Sequence, residues 1–159
     1  MSISKVPASK RLFESFKIGW LRRPDLMQVA ALCYRRGDKG LEILLVTSLG
    51  RGKWILPKGW PKKKISSAQT ALEEAFEEGG LRGNVLETPI GKYHYTKTSN
   101  SGSVLNCVAM IYEVAFVAMA KDFPEKGERK VSWFSREAAA DAVSSPELAE
   151  ILRNFEPSI

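Results

Sequence analysis

The stretch PKGWPKKKISSAQTALEEAFEEGGL, residues 57–81, decides the fold of this chain, because it holds the signals of a loop, a helix and both helix ends. Ser66 is a good N-cap, and Gln69 stands three residues later, as in a capping box. Two glycines follow the last acid and end the helical pattern, since glycine adopts the left-handed conformation at little cost. The stretch therefore predicts a basic loop followed by a helix over residues 66–78.

The predicted helix carries four acids and no base. On a wheel of about 100° per residue, Glu73, Glu74 and Glu77 lie opposite the apolar side, with Glu78 at its border. Like charges at i,i+4 repel by roughly 0.2–0.5 kcal/mol per pair, and acids near the helix C-terminus each cost ~0.3–1 kcal/mol. A bound Mg²⁺ or Mn²⁺ would relieve both costs, because hard cations bind carboxylate oxygens. A solvated acidic face is the alternative interpretation.

The loop before this helix is strongly basic, with six cations and no acid within residues 51–64. Such a loop beside a carboxylate cluster suits phosphate chemistry, because cations bind phosphates while carboxylates hold the metal that bridges them. Lys58, between Pro57 and Gly59, is the best candidate for a positioned cation. The run Lys62–Lys64 has a solvated lysine run as its alternative. Loop and helix together predict a metal-dependent enzyme that acts on phosphates.

Strands are predicted on both sides of the helix. Nearly continuous apolar runs over 28–34 and 42–48 indicate two buried strands joined as a hairpin. The further elements expected in chain order are a bent strand region over 82–98, a central strand over 104–119, a short strand over 131–135, and Ser-capped helices over 135–143 and 145–155. This order predicts an α+β or αβα sandwich domain rather than an alternating βαβ fold.

Composition is that of an ordinary globular domain: 159 residues, 44% hydrophobic and 26% charged. We expect an N-terminal arm over 1–26 and a single domain over 27–159. No apolar run is long enough to span a bilayer, and the N-terminus lacks the apolar region of a secretory signal. We therefore expect a cytoplasmic protein without a membrane partner, with a weak transit peptide as the alternative for the arm.

The net charge of +6 favours an anionic partner without identifying it. Nucleic acid is compatible with this charge but is not indicated, because the chain has no basic tail and no repeated basic–aromatic pattern. Cys33 and Cys107 lie in apolar stretches and are expected to be buried thiols.

The spacing of residues 59–81 resembles the Nudix box, G-x5-E-x7-R-E-U-x-E-E-x-G-U, where U is a bulky aliphatic residue. Gly59 takes the first position, and Glu74, Glu77 and Glu78 take the acids nearest the chemistry. The approach WILPKG is also similar to the W-x-x-P-x-G of the family. The resemblance implies an αβα Nudix fold with a mixed sheet, in which the box forms a loop–helix–loop.

The same resemblance implies hydrolysis of a diphosphate linkage. Carried over by position, Glu74 and Glu78 would ligate Mg²⁺, for which Mn²⁺ can substitute. The backbone carbonyl of Lys58 would be a further ligand. Glu77 would be the catalytic residue, ligating a second metal or orienting and deprotonating water.

Two departures from the family pattern matter, besides a small Ala75 at an aliphatic position. Ile65 stands where the first glutamate belongs, and Glu73 stands where the family has an arginine that pairs with the box carboxylates. A lysine of the basic loop is the candidate substitute for that pairing. We expect activity that is reduced or that needs more metal.

Beyond the box, the chain is most similar to the diphosphoinositol-polyphosphate and diadenosine-polyphosphate branch of the family, through WILPKGWP and the later ERKVSWFS. That branch uses many cations for highly phosphorylated substrates. The cations expected to bind substrate here are Arg35, Arg36, Arg51, Lys53, Lys58, Lys97, Arg129 and Lys130. His94 is a further candidate for a phosphate contact, with a satisfied strand histidine as the alternative. Trp54 or Trp60 is a candidate for stacking on a base, with core or rim packing as the alternative for each.

The sequence leaves three functions open. The first is a metal-dependent hydrolase of a dinucleoside or inositol polyphosphate, and the second is an RNA 5′-pyrophosphohydrolase. The third is a catalytically weak Nudix-fold module that binds a phosphorylated ligand, as Ile65 and Glu73 suggest. The expected partner is a small phosphorylated molecule, and the expected state is a monomer or homodimer.

Overall fold

Two long strands form the middle of the sheet in the computed structural model, which describes residues 25–158. Strand β1 is Leu26–Gly37 and strand β7 is Val104–Met119. They run parallel, from the pair Leu26↔Cys107 to the pair Tyr34↔Ala115. Every other strand pairs directly or indirectly with these two, giving one mixed eight-stranded sheet.

The remaining strands are β2 (Gly40–Thr47), β3 (Trp54–Ile55), β4 (Lys58–Gly59), β5 (Leu81–Val85), β6 (Gly91–Thr98) and β8 (Val131–Ser135). The predicted β1–β2 hairpin is confirmed. Two strands share the edge of β1 that faces away from β7. The last residues of β1 pair with β2, and its first residues pair antiparallel with β4 through Val29↔Gly59. The short strand β4 is thereby held beside the first residues of β1.

The region predicted as one bent strand over 82–98 is two strands. Both run antiparallel to β7, β5 along its second half and β6 along its first. Pro89 lies between them and has no N–H to donate to a ladder, which ends one strand before the other begins. The N–H groups of Leu86 and Ile90 still bond to β7 carbonyls, so the interruption is confined to the residues between them.

Within the described residues, three helices cover the two faces of the sheet: α1 (Ser67–Gly79), α2 (Arg136–Ala142) and α3 (Pro146–Arg153). Alternate residues of β1 point to opposite faces. Toward α1 the buried core includes Val29, Ala31, Cys33, Leu44, Ala71 and Ala75. Toward α2 and α3 it includes Leu32, Ile43, Ile111, Ala139, Leu148 and Leu152. The expected αβα sandwich and mixed sheet are confirmed.

Helix α1 begins and ends as the sequence predicts. The Ser66 hydroxyl accepts a hydrogen bond from the Gln69 N–H at 3.1 Å. Gly80 adopts the left-handed conformation with φ 69°, and its N–H donates to the carbonyl of Phe76. A side chain at position 80 would also overlap the ring of Phe123. Glycine is therefore required there both by the positive φ and by the space that Phe123 leaves.

Other expectations meet the structure only in part. Cys33 and Cys107 are buried and free, as predicted. Of the arm predicted over 1–26, residues 1–24 lie outside the described part, and Leu26 already belongs to β1. Within residues 25–158, no helix is long and apolar enough to cross a membrane.

We predict that Ser66→Ala lowers the free energy of unfolding by about 1 kcal/mol, because it leaves an N–H of the first helical turn without its acceptor. Urea unfolding measures the change. The control is Ser67→Ala, since Ser67 makes no side-chain hydrogen bond within the described residues. Equal urea midpoints for the two variants would contradict the assigned cap.

Candidate active site

Two of the four acids of α1 are buried, which corrects the helical wheel. Glu74 was placed on the exposed side by the wheel, but it is 9% exposed, and Glu78 is 5% exposed. The side chains of Glu73 and Glu77 remain 47% and 37% exposed. The difference arises because β4 packs against this flank of α1, and the Lys58 N–H donates to Glu78 Oε2 at 3.3 Å. A wheel describes the helix alone and not the strand packed on it.

Gly59 provides the space in which the Glu74 carboxylate lies. A Cβ at position 59 would overlap that carboxylate, with Oε2 only 2.8 Å away. The absence of a side chain at residue 59 therefore sets how closely β4 approaches α1.

Burial and crowding perturb both buried acids. Burial raises the pKa of Glu78 to about 7; Arg129 opposes this shift, and Glu74 adds to it. Burial also raises the pKa of Glu74, and the charge of Glu77 raises it further. Acids whose ionised form is disfavoured in this way are stabilised by any cation that reaches them.

Arg129 is the partner of Glu78. Its side chain is 8% exposed, and its Nη2 lies 3.2 Å from Glu78 Oε1 and 3.3 Å from Glu125 Oε1. Its Nη1 donates to the carbonyl of Thr47 at 3.0 Å. The sequence assigned Arg129 to substrate binding, whereas the structure places it against a box carboxylate.

The segment that carries Arg129 is attached to the end of α1 at two further points. The Ala120 N–H donates to the Gly80 carbonyl at 2.7 Å, and the Glu125 N–H donates to the Glu77 carbonyl at 3.0 Å. We call residues 120–130 the tethered loop. It satisfies carbonyl groups at the C-terminus of α1 and holds Arg129 in place.

Lys62 contacts the two remaining acids. Its Nζ lies 2.5 Å from Glu73 Oε2 and 3.0 Å from Glu77 Oε1. These carboxylates raise the pKa of Lys62 through hydrogen bonds, that to Glu73 being the strongest. The pairing expected of a basic-loop lysine is therefore present and is made by Lys62. The solvated-run alternative is wrong for this residue.

Aromatic rings lie under Lys58 and Lys97. Lys58 Nζ is 4.7 Å from the ring centre of Tyr95, and burial lowers the pKa of this lysine. Lys97 Nζ is 5.5 Å from the ring of Trp60, which is 44% exposed. The Tyr95 hydroxyl hydrogen-bonds to Gln28. Neither Tyr95 nor Gln28 was predicted to be a site residue from the sequence, and no local motif marks either one.

The other predicted cations divide into two groups. Arg51 and Lys53 are exposed in the connection from β2 to β3, and Lys130 is exposed with its N–H bonded to Thr47 Oγ1, beside Arg129. Lys130 thus lies beside the site, and a place for Arg51 and Lys53 at the site stays a prediction. The structure does not bring Arg35 and Arg36 to it.

Arg35 and Arg36 lie near the far end of β1. From Val29, which pairs with Gly59, Arg35 is roughly 20 Å along the strand at ~3.3 Å per residue. Its guanidinium pairs with Glu42 and lies 4.1 Å from the ring centre of Trp133. The length of β1 therefore separates these arginines from the acids of α1.

His94 and Trp54 follow the alternatives to ligand binding: His94 is a strand histidine whose ring nitrogens face carboxylates, and Trp54 packs on the core. The His94 Nδ1 lies 3.3 Å from Glu147 Oε1, and its Nε2 lies 3.7 Å from Asp25 Oδ2. Trp54 packs edge-on against Phe134 at 4.9 Å between ring centres.

Oxygen donors for a divalent metal are present, but their side chains are turned to other partners. Within residues 25–158, no three His, Cys, Asp or Glu side chains converge as a metal site. Glu77 is turned to Lys62 and Glu78 to Arg129. The chemistry of the donors nonetheless fits Mg²⁺, since crowded carboxylates with raised pKa values flank the space beside Gly59.

Comparison with known proteins agrees with the fold and with the box. Residues 26–155 match the NUDIX domain, and the chain belongs to the Nudix family. It is 25% identical over 118 residues to Nudix hydrolase 12, mitochondrial, of Arabidopsis thaliana, covering 72% of this chain and 58% of that protein. It is 28% identical over 122 residues to Nudix hydrolase 21, chloroplastic, of the same organism, covering 76% and 60%.

The chain thus spans about three fifths of the length of these relatives. Their names place them in mitochondria and chloroplasts, and the cytoplasmic expectation for this chain stays a prediction.

Solved structures share the fold. The MutT protein from Methanosarcina mazei Go1 superposes with a TM-score of 0.62 and 25% identity, covering 85% of this chain and 95% of that one. The Ap4A hydrolase of C. elegans gives 0.57 and 16%, covering 82% and 95%. The NUDIX domain of Shewanella oneidensis NrtR, complexed with ADP ribose, gives 0.58 and 19%, covering 93% and 97%. At these identities the last two are evidence for the fold alone.

We predict that, with metal removed by a chelator, wild type loses stability relative to Glu78→Gln as the pH rises from about 4.5 to about 7. In this window the folded chain holds a proton on Glu78 that the unfolded chain has released. The contribution of that proton is present at low pH and is lost as the pH passes the folded pKa.

Urea unfolding at several pH values measures the difference between the two proteins. Glu150→Gln, at an exposed position of α3, is the control and should follow wild type. Parallel stability curves for wild type and Glu78→Gln would contradict the raised pKa.

Proposed function

We propose that this chain hydrolyses the diphosphate linkage of a small nucleoside or inositol polyphosphate and requires Mg²⁺, for which Mn²⁺ can substitute. The observation that carries the proposal is the burial of Glu74 and Glu78 beside β4, with raised pKa values, on the helix that also carries Glu77. Membership of the Nudix family and the hydrolase names of the Arabidopsis relatives support it.

Glu74 and Glu78 would hold the metal, together with the Lys58 carbonyl. When bound, the metal would neutralise phosphate charge and lower the pKa of a coordinated water. The donors can serve this role only if Glu78 shares its carboxylate with Arg129, since Oε1 already contacts that guanidinium. Arg129 would in this way hold Oε1 of Glu78, and Oε2, which accepts from the Lys58 N–H, would be the oxygen left to ligate the metal.

Glu77 would orient the attacking water and accept its proton. Lys62 contacts Oε1 of Glu77, so Oε2 is the oxygen available for this proton. The water oxygen forms a bond to phosphorus, the bridging P–O bond breaks, and the leaving phosphate departs with the electron pair of that bond. The two products together contain the atoms of the substrate and one water.

Substrate binding falls to cations for which no ion pair with the acids of α1 is seen in the described residues. Lys58 and Lys97 would bind phosphates from the side of Tyr95 and Trp60, and the exposed face of Trp60 offers a surface for a base. Arg51, Lys53 and Lys130 would extend this set along a longer phosphate chain. Arg35 and Arg36 are excluded from this set because they lie at the far end of β1. Arg129 is excluded because it binds two carboxylates.

The contacts of Glu77 and Glu78 with Lys62 and Arg129 favour a second candidate, a Nudix-fold module that binds a phosphorylated ligand without hydrolysing it. Tight nucleotide binding without turnover would support it, and robust turnover would reject it. Triphosphorylated RNA in the same assay distinguishes the RNA 5′-pyrophosphohydrolase, which the net charge permits.

We predict that wild type hydrolyses diadenosine polyphosphate or diphosphoinositol polyphosphate with Mg²⁺ or Mn²⁺, and that Glu77→Gln lowers kcat about 10²- to 10⁴-fold by removing the proton acceptor. Product phosphate is measured with and without metal. The control is Glu150→Gln, which removes a carboxylate of the same size on α3. Equally negligible turnover in wild type and Glu77→Gln would reject the proposed hydrolase.

A further inference from the structure

We propose that Lys62 is a positioning residue for Glu77 and that Glu73 anchors Lys62 in this role. The inference rests on the proposed function, since Glu77 is the proton acceptor proposed above. It assigns a purpose to Glu73, which by sequence is only a departure from the family pattern.

The contacts of Lys62 form a line along α1. The Lys62 N–H donates to Thr70 Oγ1 at 3.4 Å, and Nζ contacts Glu73 Oε2 and Glu77 Oε1. Residues 70, 73 and 77 follow the i, i+3, i+7 spacing of one helix face. Lys62 therefore lies along this face from its backbone to its ammonium group, attached at both ends.

Helix α1 needs cations from outside its own sequence to pair with its acids, which explains the role of a loop lysine. Helix α1 contains four acids and no lysine or arginine, so every cation that pairs with these acids comes from outside it. Arg129 of the tethered loop serves Glu78, and Lys62 serves Glu73 and Glu77. Glu74 lies against Gly59 instead.

Lys62 differs from its neighbours in the same basic run. Lys63 and Lys64 are exposed and form no ion pair within the described residues. Pro61 restricts the backbone directly before Lys62, and Thr70, which receives its N–H, is fully buried. The backbone thus selects this one lysine for contact with α1.

Two opposite effects follow from the position of the ammonium group. It restricts Glu77 by holding Oε1, which favours turnover when Glu77 must face a water. It also places a positive charge 3.0 Å from the carboxylate of Glu77, which would weaken the binding of a divalent cation by Glu77 and the acids beside it. Loss of Lys62 should therefore lower kcat and raise the affinity for the metal. General damage to the fold would instead lower both kcat and the affinity for the metal.

The test compares Lys62→Met with Lys63→Met, which removes the same charge one residue away. Mn²⁺ binding is titrated by electron paramagnetic resonance without substrate, and kcat and KM are measured on the best diphosphate substrate. We expect Lys62→Met to lower kcat about tenfold to a hundredfold with a smaller change in KM. We expect it to tighten Mn²⁺ binding about threefold at low salt, whereas Lys63→Met stays within about twofold of wild type on each measure.

A second arm uses Glu73→Arg. Alone, this change removes the anchor of Lys62 and places a like charge beside it, so kcat should fall. Combined with Lys62→Met, it should raise kcat above that of Lys62→Met, because an arginine at residue 73 is four residues before Glu77 and can pair with it from within α1. Lys62→Arg should retain most of the wild-type kcat, and thermal unfolding checks that each variant is folded.

Three outcomes overturn the inference: equal effects of Lys62→Met and Lys63→Met, a higher kcat for Glu73→Arg alone, or weaker Mn²⁺ binding in folded Lys62→Met. If wild type hydrolyses none of the substrates, the proposed function fails separately. The Mn²⁺ titration of the two lysine variants then still decides whether the ammonium of Lys62 acts on the carboxylate cluster.

Discussion

The pairing of β4 with the first residues of β1 is the constraint on which the site depends. Only two residues, Lys58 and Gly59, form β4, yet this pairing brings the basic loop against the flank of α1. The Gly59 backbone then meets the Glu74 carboxylate, and the Lys58 N–H meets Glu78. Acids that an isolated helix would expose to water are buried by this contact, and burial is the largest cause of their raised pKa values.

The carboxylate cluster is stabilised from outside its helix. Helix α1 has neither an acid in its first turn nor a base in its last, so its own sequence opposes its dipole. Lys62 and Arg129, which precede and follow the helix, supply the missing cations. An arrangement unfavourable for the helix and favourable for cation binding is expected at a functional site rather than at a structural one.

Local sequence signals predicted the elements, and tertiary contacts decided the site. The caps of α1 and the β1–β2 hairpin depend on neighbours in the chain and were predicted correctly. Pro89 is a sequence signal that predicts two strands within residues 82–98, because proline interrupts the hydrogen bonds between strands. The partnership of Glu78 with Arg129 could not be predicted, since these residues are far apart in the chain and no spacing rule joins them. The burial of Glu74 depended likewise on a strand that the wheel does not include.

The tethered loop has a consequence for how this protein can diverge. Surface connections usually accept insertions and deletions freely. Residues 120–130 bond to α1 at Gly80, at Glu77 and through Arg129 at Glu78, so a change in their length would shift the guanidinium away from its carboxylate. Among the residues that the structure describes, the connection from β2 to β3 bonds only within itself, at Ser48, Gly52 and Lys53. Insertions and deletions among descendants of this sequence should therefore occur mainly in the connection from β2 to β3. A longer loop there can reach a larger ligand while the carboxylates of α1 stay in place.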